Sequence, residues 1–356
     1  MSKRSFRISL ARVLQQHINE KDSNQPFTGE LNSVVILSGE KIGDSILLTP
    51  LLRNLRIHFP ELEIHLICMT HTSAEFFKND PHITAVHEVK KNILTYCIKT
   101  LPRKFDLLFN TKDGLSTNFL IQTALLRARF KVGHHHPLHE GIFNRLIALD
   151  HNTKMVLKHC SLLSVLSLEA TGEETRPYLP PAPISERMAS FIATIEQDHV
   201  IGINISAGNE SRYWTEKKWS DLLSSFPELQ FIIFSAPGDL EIKERLEQAH
   251  NNVTASPQTA NIYEVGVLVK QLQLLVSPDT SLVHIASCYN TPVIAFFPDA
   301  PVEYARFGPY LTAHELVISP SLKVSDIDVR DVVSAIQNQL SSIAKAPSPE
   351  TLNSKT

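Results

Sequence analysis

Short, nearly continuous apolar runs punctuate the chain. VVILS (34–38), IHLICM (64–69) and DLLFN (106–110) come first. After a proline-rich break follow VIGINIS (200–206), FIIFSA (231–236), LQLLVS (272–277), PVIAFF (292–297) and ELVIS (315–319). Runs without polar alternation predict parallel strands covered on both faces. Between them lie helical patterns such as LLTPLLRNLRIHF, LEIKERLEQAH and SLVHIASCY. Strand–helix alternation in two blocks predicts an α/β protein of two doubly wound, Rossmann-like domains. Such sheets bind ligands beyond the carboxyl ends of their strands. Two domains facing across a cleft are therefore expected to hold the chemistry there.

The break, TGEETRPYLPPAPISE at 171–186, has four prolines and no amphipathic period, and reads as an extended linker. The expected organisation is a basic extension (1–30), a first domain (31–175), a second domain (176–340) and a disordered polar tail (341–356). A length of 356 residues exceeds the usual single core, which agrees with two domains.

Composition changes this picture little. A net charge of −3 gives no overall electrostatic case for nucleic acid. Cys68, Cys97, Cys160 and Cys288 are scattered, which argues against a disulfide framework or zinc site and suits a reducing cytoplasm. No apolar run approaches the ~20 residues that span a bilayer, and no signal peptide is expected, because the first thirty residues lack an apolar h-region. The start KRSFRISLARVL (3–14) is basic, with an imperfect amphipathic pattern. It reads either as a membrane-surface contact or as a disordered extension.

Three strand-to-helix junctions carry candidate chemistry. In GEKIGDSILLTPLL (39–52), Gly43 and Asp44 open a helix straight after a strand. Asp44 either favours the helix dipole, worth about 1 kcal/mol, or acts as a general base. Pro50 predicts a kink or an irregular first turn there. In SPDTSLVHIAS (277–287), Asp279, Thr280 and Ser281 crowd a helix start, with His284 one turn beyond. Such a start presents unpaired N–H groups suited to phosphate, and also invites simple capping. Because Asp279 would repel phosphate, it is expected to hold sugar hydroxyls or to order the loop. In ISAGNESRYWTEKKW (205–219), Ser206 and Gly208 precede Arg212, a loop cation suited to a diphosphate, while Trp219 is assigned to the core.

Two further patterns have simpler explanations. Asp326-Ile327-Asp328 matches a metal-binding D-x-D but precedes a helical pattern, so helix-start chemistry explains it better. His134-His135-His136 with His139 does not converge on one ion without a special turn, and is read as a loop near an acceptor groove.

Taken in order, KIGDSILLTPLLRNLRIHFPELEIHLIC, ISAGNESRYWTEKKW and SPDTSLVHIASCYNTPVIAFF resemble the bacterial lipopolysaccharide heptosyltransferases, glycosyltransferase family 9. The resemblance covers most of residues 34–300 and implies a GT-B fold and an inverting, metal-independent transfer without a cofactor. The implied donor is a nucleotide sugar, ADP-heptose or another. The implied acceptor is the lipopolysaccharide core of Kdo–lipid A type. The implied place is the cytoplasm, peripheral to the inner membrane. It makes Asp44 the catalytic base and Arg212 the cation that meets the departing diphosphate, where several relatives carry lysine. Gly43, Ser206, Gly208, Asp239, Asp279, Thr280, Ser281 and His284 become the donor-binding set. Asp239 falls roughly where relatives place a ribose-binding acid, and Ser281 stands where many have glycine. A non-catalytic sugar-nucleotide or glycan binder is the alternative, against which Asp44 and Arg212 argue.

Overall fold

The computed structural model describes residues 2–20, 26–91, 93–196 and 199–345. The chain divides into two units, Met1–Ala182 and Pro183–Thr356. In the first, six parallel strands form one sheet: β1 (Ser33–Leu37), β2 (Glu63–Cys68), β3 (Ala85–Glu88), β4 (Lys104–Asn110), β5 (Arg127–His134) and β6 (Arg145–Ile147). Their order is β3-β2-β1-β4-β5-β6. The second unit has β7 (Val200–Asn204), β8 (Gln230–Phe234), β9 (Leu274–Pro278), β10 (Val293–Phe297) and β11 (His314–Ile318). These are also all parallel, in the order β11-β10-β9-β7-β8. The order reverses between β1 and β4 in one sheet and between β7 and β9 in the other. Those two reversals are where ligands of such sheets bind.

Each expected strand forms, with ends shifted by at most two residues. The central strands β1, β7, β9 and β10 are buried along their whole length, as unbroken apolar runs require.

The helix Ile42–His58 lays Ile46, Leu48, Leu51, Leu52 and Leu55 into the first core. It runs unbroken through Pro50, which removes the N–H that the Ile46 carbonyl would have received. The Thr49 hydroxyl donates to that carbonyl at 2.8 Å instead, so the proline leaves no orphan acceptor. Thr49 Oγ1 in turn accepts the Tyr178 N–H at 2.9 Å.

Two segments depart from expectation. Residues 3–18 form a helix capped by Ser2, which packs Ala11 against Leu120, Ile142, Phe143 and Leu146. The start of the chain is therefore part of the first unit's body rather than a loose arm. The expected linker is likewise structured at its beginning. Gly172–Thr175 is a 3₁₀ turn closed by a reciprocal Thr171–Glu174 capping box. Arg53 and Asn54 donate to the Glu174 carbonyl at 2.8 and 2.9 Å. The two units divide at 182/183, beyond this clasp. At the other end, the helix Val329–Lys345 takes in residues 341–345 of the expected tail; 346–356 lie outside the described residues.

The second core is organised by aromatic rings. Trp214 meets Trp219 edge-on at 4.8 Å, and Trp219 stacks on Phe296 at 5.7 Å. Trp214 donates its indole N–H to the Ile327 carbonyl at 3.0 Å, and Lys218 donates to the same carbonyl. Asp326 accepts the Ser321 hydroxyl, whereas Asp328 pairs with Arg330. The D-x-D segment thus closes a helix start. No described helix is long and apolar enough to cross a membrane.

Candidate active site

In the first unit, β1 delivers Ser38 and Gly39 to the start of the helix Ile42–His58, with Gly43 and Asp44 in its first turn. Gly39 is fixed by proximity: a Cβ there would stand 2.3 Å from Asp44 Cβ and 3.1 Å from its Cγ. Behind the turn, the Ser73 hydroxyl lies 3.0 Å from that of Ser38 and 3.1 Å from that of Ser45. Across the reversal, β4 ends at Asn110. Thr111 donates its hydroxyl to the Leu37 carbonyl at 2.7 Å, locking the two strand ends together. One residue on, Lys112 Nζ lies 3.3 Å from Asp44 Oδ2. The acid therefore sits at the ligand-binding end of the sheet, partly exposed and paired with a cation. That arrangement suits a carboxylate oxygen that takes a proton from a bound hydroxyl.

Deeper in the same unit, Lys158 donates to Asp113 at 2.7 Å and to the His151 carbonyl at 2.9 Å. His159 is fully buried beside this group, and burial lowers its pKa despite the nearby carboxylates of Asp44 and Asp113. Burial also pushes His134, the last residue of β5, down to about 3, and His139 down to about 4. His139 donates Nδ1–H to the His134 carbonyl at 2.9 Å. These histidines are neutral interior groups at neutral pH. Among the described residues, no group of three His, Cys, Asp or Glu is arranged to hold a metal ion.

In the second unit, the reversal between β7 and β9 opens on a cavity of about 350 Å³. Ser206, Gly208, Thr280 and Ser281 line it, together with Asn204, Lys243, Gln258, Thr259 and Asn261 and an apolar wall that includes Phe234, Ile262 and Val265. Asn204 ties the strand ends together, donating to Ser277 at 3.0 Å and to Thr280 at 3.1 Å. Thr280 also caps the helix Ser281–Tyr289, accepting the Leu282 N–H at 3.3 Å. Capping and cavity lining therefore coexist at this helix start. Lys243 donates to the Ser256 carbonyl at 2.8 Å, and burial lowers its pKa. A Cβ added at Gly208 would meet nothing, so packing does not demand glycine there. An apolar wall with a few convergent polar groups is the usual make-up of a small-molecule site.

The other expected residues shape this region from outside the cavity lining. Asp279 Oδ2 takes Arg212 Nη1 at 2.9 Å, and Glu303 lies 3.5 Å from Nη2. The guanidinium is thus held on the β9–helix junction. Asp239 accepts the hydroxyls of Ser206 at 2.5 Å and Tyr213 at 3.0 Å, bracing the loop after β7. His284 is buried in its helix one turn beyond Thr280. Gly43 and Asp44 belong to the first unit, and the rest of the expected set belongs to the second. Sequence reasoning passed over Lys112, although it lies two residues beyond a predicted strand at a reversal. It also passed over Asn204, Lys243 and the Gln258–Thr259 loop, which carry no motif.

The family model for glycosyltransferase family 9 (heptosyltransferase) matches residues 95–329, more than half of the chain. Lipopolysaccharide heptosyltransferase 3 of Escherichia coli is 26% identical over 278 residues, covering 72% of this chain and 80% of that protein. Among solved structures, a family 9 glycosyltransferase from Veillonella parvula DSM 2008 superposes with a TM-score of 0.69 at 16% identity, covering 89% of this chain and 99% of that one. The E. coli heptosyltransferase WaaC with ADP superposes with a TM-score of 0.67 at 15% identity, covering 88% of this chain and 100% of the other. The two parallel-sheet units are those of the GT-B fold. With the G-D-x-x-L-x-T-P-L-L and D-T-S-x-x-H-x-A elements at the two sheet reversals, the chain belongs to glycosyltransferase family 9, the heptosyltransferase family.

Proposed function

We propose that this protein is an inverting, metal-independent glycosyltransferase that moves a heptose from ADP-heptose onto the inner core of lipopolysaccharide, on an acceptor of Kdo–lipid A type. The reading is carried by Asp44, an acid held beside Lys112 at one sheet reversal. It is supported by the cavity at the other reversal, whose ~350 Å³ lies within the range of small-molecule sites. Relatives named as lipopolysaccharide heptosyltransferases, and a solved WaaC with ADP-2-deoxy-2-fluoro heptose, support the choice of donor and acceptor. The enzyme works at the cytoplasmic face of the inner membrane.

In this reading the second unit holds the nucleotide in the cavity, with Ser206, Gly208, Thr280 and Ser281 around it. Arg212 and the N–H groups at the start of the helix Ser281–Tyr289 meet the diphosphate charge as the bond to the anomeric carbon breaks. An acceptor hydroxyl forms the new bond from the opposite face and passes its proton to Asp44. The test is to incubate the purified protein with ADP-heptose and a heptose-deficient core acceptor. Mass spectrometry should find one added heptose, and NMR should find the inverted anomer. Transfer from a different nucleotide sugar only would replace the donor, and a retained anomer would overturn the mechanism.

A further inference from the structure

We propose that one face of the first unit docks on an anionic lipid bilayer. The inference rests on the functional reading only in placing the protein at a membrane; the surface itself is argued from three adjoining elements. The helix Lys3–Ile18 packs Ala11 on Leu120 of the helix Thr117–Leu125. On the other flank of that second helix, Gln122 accepts the Tyr96 hydroxyl of the segment Ile93–Thr100. Ile121 and Leu125, one turn apart, lie on the stripe between these two contacts. They are 36% and 50% exposed.

The neighbouring elements continue this pattern. Ile93, Leu94 and Ile98 are 57%, 75% and 72% exposed, and Phe6 and Val13, two turns apart, are each nearly half exposed. Isolated exposed apolar side chains are ordinary, but Ile93, Leu94, Ile98, Ile121 and Leu125 lie on two adjoining elements and form a patch. Phe6 and Val13 stand on the outward face of the helix beside it, opposite Ala11. Lys3, Arg4, Arg7, Arg12, Lys90, Lys91 and Lys99 lie on or next to these three elements in the chain, all exposed. No Asp or Glu occurs in 3–18, 90–91, 93–100 or 117–125, although the whole chain carries 37 acids and a net charge of −3. Lysine is depleted in protein–protein interfaces, whereas apolar side chains among lysines and arginines suit a headgroup layer. The charge selects anionic lipid, and the apolar tips reach its acyl boundary.

The test is co-sedimentation of the full-length protein with vesicles of phosphatidylcholine containing phosphatidylglycerol, against phosphatidylcholine alone. The protein should sediment with the first and not the second, and added salt should release it. Changing Lys3, Arg4 and Arg7 to Gln should weaken binding roughly 100-fold. Ile93→Ser, Leu94→Ser and Ile98→Ser together should weaken it roughly tenfold or more. Gln at Arg187 and Lys217, exposed cations of the second unit, should change nothing. All these side chains lie at the surface, and unchanged circular dichroism would confirm folding. Equal binding to both vesicles, binding to neither, or indifference to both sets of substitutions would overturn the proposal. Transfer to a delipidated acceptor in solution reads out the enzymatic proposal separately.

Discussion

Lys112 reaches Asp44 across the reversal of the first sheet, with 3.3 Å between Nζ and Oδ2. The two residues are 68 positions apart and follow two neighbouring parallel strands, Asp44 in the helix after β1 and Lys112 in the loop after β4. The pair exists because Thr111 anchors the end of β4 to the Leu37 carbonyl, setting Lys112 beside the helix that starts after β1. Asp44→Asn removes the proposed proton acceptor while keeping the shape. Turnover should fall by roughly 10²–10⁴-fold, with the melting temperature nearly unchanged. Near-normal turnover in the purified variant would take Asp44 out of the mechanism.

Gly39 tests the same turn sterically. A methyl group there would lie 2.3 Å from Asp44 Cβ, so the strand-to-helix turn must move. Gly39→Ala should cost about 1–3 kcal/mol, as other overpacked sites do, measured as a lower urea midpoint. Activity should fall with it, because the displaced group is the proposed base. A variant of unchanged stability would show that the turn has room to adjust.

Arg212 and Asp44 should separate donor binding from turnover. Arg212 is braced by Asp279 and Glu303 on the unit that carries the cavity, whereas Asp44 is on the other unit. Arg212→Ala should weaken nucleoside diphosphate binding in calorimetry as well as turnover, since the ground-state diphosphate is already charged. Asp44→Ala should leave that affinity nearly unchanged. The opposite pattern would reverse the assigned roles.

Transfer activity should survive EDTA. The carboxylates of the D-x-D segment are taken up by Ser321 and Arg330, and the diphosphate charge is assigned to Arg212 and a helix start. Lost activity that magnesium or manganese restores would require a metal in the reaction.

Stability should fall on mild acidification. Burial holds His87 and His139 down to about 4 and His134 to about 3, against 6.5 for free histidine. Below pH 6.5 the unfolded chain takes up protons that the folded chain refuses. Stability is therefore fully present above pH 6.5 and is lost as the pH falls toward 4. Each histidine contributes a slope of up to about 1.4 kcal/mol per pH unit. Urea unfolding between pH 7 and 5 should show this decline, and His87→Gln should flatten it. An equal slope in the variant would exclude His87 as a source.

The legible parts of this fold are those where burial on both faces wrote an apolar run into the chain. β1, β2, β4 and all five strands of the second sheet are of that kind. β3 and β6 are short edge strands, and β5 opens with Arg127, Arg129 and Lys131 alternating with less polar residues while its first half is partly exposed. The two strand-end motifs are equally plain because their residues are contiguous. The pairing of Lys112 with Asp44 is not, since it depends on which strands become neighbours. Arg212 reads as a lone loop cation until β9 brings Asp279 beside it.

The clasp between residues 173–178 and the helix Ile42–His58 bears on where the chain can be cut. Thr49, Arg53 and Asn54 all spend polar groups on that segment, and Tyr178 adds its hydroxyl to Asp80 at 2.8 Å. A protease that nicks before Gly172 would strip partners from the helix that carries Asp44 in its first turn. Cleavage beyond Ala182 would leave them in place. A separately expressed first half should accordingly keep its amide hydrogens protected along that helix only if it retains residues through 182.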